Sequence, residues 1–405
     1  MKKIAAVLLT AALGVVLAPT ASAHPGWAAT WAASPHEPTD VFGPTWGTEG
    51  FDNHTVRQVV RTSGGGPAVR VRLSNAYGST PLKLTGATVA RSAQGAAVRP
   101  ETVRHLTFGG HRSTTVRPGG ELVSDVAFLP VEPLQRLTVT LYFAGRTGPA
   151  TGHSFATATS YRAGGDHRAD ASAAAFGEKS ESWYYLSGVE TVDRTPRRDV
   201  VVAFGDSITD GAGATVDGDN RYPDELAERL RGRKNVVNAG IGGNRVLNDS
   251  ACFGEKATER FARDALGQPD VRTVILLEGI NDIGFSNFPI DCALPNPVVT
   301  AADVVAGYRD LIRQAHAKGV RVVGATLLPY KGAAYHTEAG EAVRDEVNAW
   351  IRTSGEFDAV VDFEKATADP ADPDSLLPAY DSGDKLHPSD AGYRAMAQAV
   401  DLSVL

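Results

Sequence analysis

Two hydrophobic rhythms divide the chain. In its first half TVRQVVR carries Val56 and Val59, Val69, Val71 and Leu73 alternate with Arg70, Arg72 and Ser74, and Leu137, Val139 and Leu141 repeat the alternation in RLTVTLYF. A period near two is that of a half-buried strand. Gly64-Gly65-Gly66-Pro67 and Pro118-Gly119-Gly120 separate such runs as turns would. The spacing predicts many short strands and no helix, an all-β sandwich or jelly-roll-like domain over residues 24–193.

A polar, proline-interrupted stretch, DRTPRRD at 193–199, marks the boundary, and the rhythm then changes. A continuous apolar strand at 200–204 precedes a helix stripe at Tyr222, Leu226 and Leu230; Val236 and Val237 form a short strand, and Phe261 and Leu266 mark a second helix. A third strand at 274–277 leads to a helix through Val304, Tyr308, Leu311, Ile312 and Ala315, stopped at Gly319. Strand 320–327, a helix through Val343, Val347, Trp350 and Ile351, strand 359–363 and a last helix from about Ser389 complete the set. Five strands alternating with five helices predict an α/β domain at 199–405, its five-stranded parallel sheet covered on both faces.

The N-terminus has its own pattern. Lys2 and Lys3 precede an apolar run at 4–17, and Ala21-Ser22-Ala23 supplies small residues for cleavage. Residues 1–23 therefore read as a signal peptide of a secreted, extracellular protein; the run is short for a membrane anchor, and no later stretch is long and apolar enough for stable membrane insertion. An oxidising compartment favours pairing Cys252 with Cys292, the only cysteines, with two buried thiols as the alternative. Composition is that of a soluble globular protein, 42% hydrophobic and 21% charged. The net charge of −7 supplies no general attraction for phosphate backbones, so nucleic acid is not expected as a partner.

In parallel sheets ligands bind beyond the carboxyl ends of the strands, and there the unusual residues fall. Gly205-Asp206-Ser207 follows the first strand, NAGIGGN (238–244) the second, GINDIG (279–284) the third and DKLHP (384–388) the fifth. Singly each has an ordinary reading: Asp-Ser as a helix N-cap, Asn238 and Asn281 as turn residues. Together they supply acyl transfer. Ser207 is the candidate nucleophile, His387 the base that takes its proton, and Asp384 the carboxylate that fixes the imidazole tautomer. The oxyanion of a tetrahedral intermediate needs aimed donors, for which the Ser207 and Gly243 N–H groups and the Asn281 side-chain amide are the candidates. Asp206 and Asp282 read as loop braces.

The four blocks resemble those of the SGNH hydrolases, also called GDSL esterases and lipases. GDSIT at 205–209 matches the first, with isoleucine where the family name has leucine; NAGIGGN, GINDIG and DKLH match the others. The resemblance covers about half the chain. It implies a flavodoxin-like three-layer α/β/α fold, Ser207, Asp384 and His387 as triad, Ser207, Gly243 and Asn281 as oxyanion hole, hydrolysis of carboxylic esters, and neither cofactor nor metal. The β-rich half, with VRQVVRTSGGG and VRVRLSNAYGS, looks like that of bacterial two-domain acylhydrolases associated with plant polysaccharide breakdown.

Competing motifs are missing: no GxSxG elbow, no HExxH, no GxxxxGK[ST]. Gly211-Ala212-Gly213 and Gly240-Ile241-Gly242 begin like dinucleotide fingerprints, but Val216 and Arg245 stand where the third glycine belongs. The expected substrate is a small-molecule or polysaccharide ester, with short acyl groups first, polysaccharide acetyl groups second, and longer lipase or phospholipase substrates third. The alternative is a carbohydrate-binding protein with a vestigial hydrolase domain, in which Trp27, Trp31, Trp46 and Trp183 stack on sugar rings; core packing is the expected fate of most of these.

Overall fold

The computed structural model describes residues 26–192, 199–286, 288 and 290–405. The signal-peptide reading at 1–23 and residues 193–198 of the proposed boundary lie outside the described residues.

Among the described residues the first half holds two large antiparallel sheets and two short two-stranded ones. One large sheet runs, in spatial order, Trp27–Ala32, Leu186–Val192, Val69–Asn75 and Gly120–Val123; the other runs Glu178–Ser180, Ser160–Gly164, His54–Arg61, Arg136–Phe143, Gly86–Arg91 and Arg104–His105. The alternation read from the sequence holds for Val69, Val71 and Leu73 and for Leu137, Val139 and Leu141, whereas in TVRQVVR the period of two pairs Val56 with Val60 and turns Val59 to the other face, against a smaller cluster. Val69, Val71 and Leu73 of the first sheet share one apolar cluster with Val56, Val60, Leu137, Val139 and Leu141 of the second, all 2% exposed or less. The four tryptophans are not a sugar platform. Trp31 and Trp183 meet edge to face at 4.9 Å inside the core, Trp46 stacks on Tyr184, and Arg70 covers the half-buried Trp27.

The second half is built on a five-stranded parallel sheet of β1 (Val200–Gly205), β2 (Asn235–Gly240), β3 (Val271–Leu277), β4 (Arg321–Ala325) and β5 (Ala359–Val361), in spatial order β2-β1-β3-β4-β5. That is the order of flavodoxin-like sheets. Every residue of β1 is buried, because a central strand of a covered parallel sheet presents both faces to helices. Eight helices occur among the described residues of this half: α1 (Ser207–Asp210), α2 (Tyr222–Leu230), α3 (Ala257–Asp264), α4 (Ile280–Phe285), α5 (Ala301–His316), α6 (Glu338–Thr353), α7 (Phe363–Thr367) and α8 (Asp390–Ala399). The sequence reading expects five. It misses α1, α4 and α7, which are four to six residues long and too short to show a period of 3.6. Helices α2, α7 and α8 pack together in one group, and α3, α5 and α6 in another.

Strand Trp27–Ala32 binds the halves together. Its Ala28, Ala29 and Ala32 belong to the α/β cluster, whereas Trp31 enters the β cluster. Strand β2 lies at the sheet edge and would otherwise expose backbone groups. There Asn235 Nδ2 donates to Ala29 O at 3.0 Å and Val236 N donates to Ser63 Oγ at 3.0 Å. Cys252 and Cys292 form a disulfide, as export would favour, and it joins the loop after β2 to the loop after β3. Among the described residues no helix is long and apolar enough to cross a membrane.

Candidate active site

The sheet register sets the site. Gly205 lies opposite Gly240 on one side and Leu277 on the other, so the segments leaving β1, β2 and β3 start at the same level. Gly205 has no room for a side chain: a Cβ would meet Leu277 O at 2.0 Å and Thr209 Oγ1 at 2.3 Å. The chain then turns sharply. Asp206 caps α1 by accepting from Ile208 N at 2.9 Å, which places Ser207 at the first helical position. The N-cap reading of Asp-Ser holds, with Asp206 as the capping residue.

Ser207 Oγ lies 2.8 Å from His387 Nε2, and His387 Nδ1 lies 2.5 Å from Asp384 Oδ2. The other carboxylate oxygen, Oδ1, accepts from Leu386 N at 2.9 Å and His387 N at 2.8 Å. Burial alone would raise the Asp384 pKa, but the His387 ring and these two N–H groups outweigh it and hold the carboxyl well below the usual range. Asp384 therefore stays ionised, Nδ1 keeps the proton, and Nε2 faces the serine as an acceptor. Asp384 and His387 do not leave β5 directly. Helix α7 and a hairpin of Ala368–Asp369 with Asp372–Leu376, unread in the sequence, intervene.

The three oxyanion candidates come from three loops. Among the described residues the N–H groups of Ser207 and Gly243 have no protein acceptor. Gly243 adopts φ +73°, and a Cβ there would lie 2.3 Å from the Phe253 ring, so both conformation and space call for glycine. Asn281 donates one amide hydrogen to Asn244 O at 3.0 Å, and its Oδ1 accepts from the Tyr335 hydroxyl at 3.2 Å. Those two bonds orient the amide and leave its second N–H free for a ligand. Asp282 braces the neighbouring loop rather than its own, accepting from Val246 N at 2.7 Å and Leu247 N at 3.0 Å.

Arg260 of α3, wholly buried, was not legible as a site residue. It donates to Asn244 Oδ1 at 2.7 Å, Ala239 O at 2.9 Å and Gly205 O at 2.8 Å, and lies 3.4 Å from Glu278. One guanidinium thus ties the ends of three strands to the oxyanion loop, a task its five fixed donors suit. Arg245, also buried, links Asp249 O and Ser250 Oγ to Ala293 O and Pro295 O, and so reinforces the disulfide.

Burial dominates the acids beneath the site. It pushes Asp206 up to about 7 and Asp282 up to about 6, and Glu278 well above the usual range. Among the described residues Asp206 Oδ2 is buried without a hydrogen-bond partner, the environment of a protonated carboxyl. Such a group keeps its proton in the folded protein where the unfolded chain, near 3.8, has lost it. Its stabilising contribution is full below the unfolded value and is lost as pH rises through the folded one. The thermal unfolding midpoint is therefore expected to fall from about pH 5 to about pH 8. Asp206→Asn, which keeps the acceptor for Ile208 N, should flatten the part of that slope near pH 7, as read by calorimetry across the range.

A serine hydroxyl, imidazole and carboxylate in sequence at the rim of a parallel sheet is the arrangement of a serine hydrolase. Residues 203–395 match the GDSL-like Lipase/Acylhydrolase family. That match lies within the α/β half and supports a carboxylic ester hydrolase. Similar solved structures include a putative lipolytic protein of the G-D-S-L family from Desulfitobacterium hafniense, at 22% identity and a TM-score of 0.39, covering 51% of this chain and 99% of that one. The aryl esterase of M. smegmatis is 17% identical with a TM-score of 0.39, over 50% of this chain and 95% of that one. A variant of an acetyl-xylooligosaccharide esterase from Geobacillus is 22% identical with a TM-score of 0.38, over 51% and 94%. No curated protein matched the chain.

Proposed function

We propose that the protein is a secreted serine esterase acting on short-chain acyl or acetyl esters through an acyl-enzyme. The observation that carries the reading is the unbroken line from Ser207 Oγ through His387 to Asp384. Ser207 attacks the ester carbonyl as its proton passes to His387 Nε2, and the imidazolium is stabilised by Asp384. The oxyanion is held by the Ser207 and Gly243 N–H groups and the free N–H of Asn281. His387 then protonates the departing alcohol, and water repeats the sequence on the acyl-enzyme, releasing the acid.

The preference for a small acyl group rests on the walls. Ser207 is 8% exposed. Phe253 stacks on Phe285 at 5.5 Å, Phe285 meets Tyr335 at 5.9 Å, and Phe42 packs against Phe253 at 5.8 Å. The Phe253 ring lies against Gly243 and the Tyr335 hydroxyl bonds Asn281, so packed aromatic rings stand beside two of the oxyanion candidates. The lysine-flanked apolar leader supports secretion, with residues 24–193 as an accessory β domain and 199–405 as the catalytic one.

An acyl series from acetate to palmitate on p-nitrophenol tests the reading. The expected kcat/KM is highest at two to four carbons, roughly, and falls at least about tenfold by eight, as a pocket lacking room for a few methylenes would give. A maximum at palmitate would overturn the short-chain assignment. Acetate release from acetylated xylan, compared with p-nitrophenyl acetate, decides between polysaccharide and small-molecule alcohols.

A further inference from the structure

Beneath the oxyanion loop a histidine of the β-rich half reaches the hydrolase core. His153 Nδ1 faces Ser34 O at 2.9 Å; Nε2 faces Asp210 Oδ1 at 2.9 Å and Phe155 O at 3.0 Å. All three partners, two carbonyls and a carboxylate, only accept. Both ring nitrogens must therefore donate, and only the imidazolium has both protons. The pair is shut away from water, with side chains 3% and 2% exposed. Burial pulls the His153 pKa down, but Asp210 and the two carbonyls outweigh it and leave it raised.

The neighbours agree with that charge state. His36, its ring 5.6 Å away, donates from Nδ1 to Glu37 O at 2.6 Å and accepts Ser154 N at Nε2, which is the neutral tautomer. Its pKa is lowered to about 3, by burial first and by His153 second. The remaining cations near the pair already hold other acids: Arg260 reaches Ser34 Oγ but pairs with Asp264 and Glu278, and Arg221 lies over Trp183 but pairs with Asp224. Among the described residues His153 is thus the cation in direct contact with Asp210.

Asp210 connects this ion pair to the chemistry. It closes α1, the helix that Ser207 opens, and its Oδ2 accepts from Gly242 N at 2.9 Å. Gly243, whose N–H faces the oxyanion in the reading above, is the next residue. We propose that His153, from the β-rich half, is a positioning residue of the esterase: as an imidazolium it holds the Asp210 carboxylate in place through a buried ion pair, and Asp210 fixes Gly242 and so aims the Gly243 donor. On this account the β-rich half completes the active site rather than merely accompanying it. The inference rests on the esterase reading.

The test is His153→Gln in the full-length chain, which removes the charge and leaves too few donors for three acceptors. Losing the aim of one oxyanion donor should lower kcat for p-nitrophenyl acetate by roughly tenfold to a hundredfold, somewhat less than deleting a donor outright. KM should stay within about twofold, and inhibition by phenylboronic acid, whose serine adduct mimics the tetrahedral intermediate, should weaken by the same factor as kcat. Asp210→Asn should do the same, and the double variant should be no worse than the poorer single one. If His153→Gln does not fold, Asp210→Asn, the closer isostere, carries the comparison. Imidazole nitrogen NMR of the wild-type protein should show both His153 nitrogens protonated at pH 8. A lowered melting temperature with unchanged kcat and boronate affinity would overturn the proposal, as would a neutral His153 ring at pH 8. If Ser207→Ala leaves activity intact, the esterase reading falls and this inference with it; if Ser207→Ala abolishes activity while His153→Gln does nothing, this inference falls alone.

Discussion

Ser207→Ala is expected to lower kcat for p-nitrophenyl acetate by about 10⁵- to 10⁶-fold, some 7 to 8 kcal/mol of transition-state stabilisation. The size follows from the route through a covalent acyl-enzyme. Without Oγ, the base at His387 Nε2 has no nucleophile within its 2.8 Å reach, and what survives is binding plus oxyanion stabilisation of attack by water. The fold should be untouched, because among the described residues the hydroxyl's hydrogen bond is to His387 and the α1 cap comes from Asp206. Circular dichroism and the melting curve should overlay those of the wild type while the initial-rate assay falls to background. Activity within tenfold of wild type would remove Ser207 from the mechanism.

Asp384→Asn should cost about 10⁴-fold in kcat through the tautomer of His387. Asp384 Oδ1 already holds two backbone N–H groups. An asparagine that keeps its oxygen there must turn its NH₂ toward Nδ1, which then accepts and drives the ring proton to Nε2, where it opposes the serine hydroxyl. The structural cost should be small, since the side chain is half exposed and the two backbone bonds are retained. KM should change little, which separates this loss from damage to binding. A variant retaining more than a tenth of wild-type kcat would show that Asp384 does not set the tautomer.

The sequence revealed the parts whose signal is local. Ser207, Gly243, Asn281, Asp384 and His387 each sit in a short block where turn chemistry and catalytic chemistry coincide, and the long helices α5 and α6 show their apolar stripes plainly. What stayed hidden depends on partners far along the chain. Tyr335 orients Asn281 across 54 residues and His153 reaches Asp210 across 57, and neither stands in a recognisable pattern. Arg260 reads as one more charge on an amphipathic helix until the strand ends converge on it. The strand Trp27–Ala32 was missed because WAATWA has no alternation: its alanines are small to let two backbones approach, not polar to face water.

The central claim is that Ser207 is a nucleophile activated in place, and covalent capture reads it directly. A fluorophosphonate esterifies an activated serine with loss of fluoride, the hydroxyl proton passing to the base. One adduct per chain is predicted, on the peptide holding Ser207, growing in step with loss of esterase activity and missing from Ser207→Ala. Inactivation with the label on another residue would contradict the account.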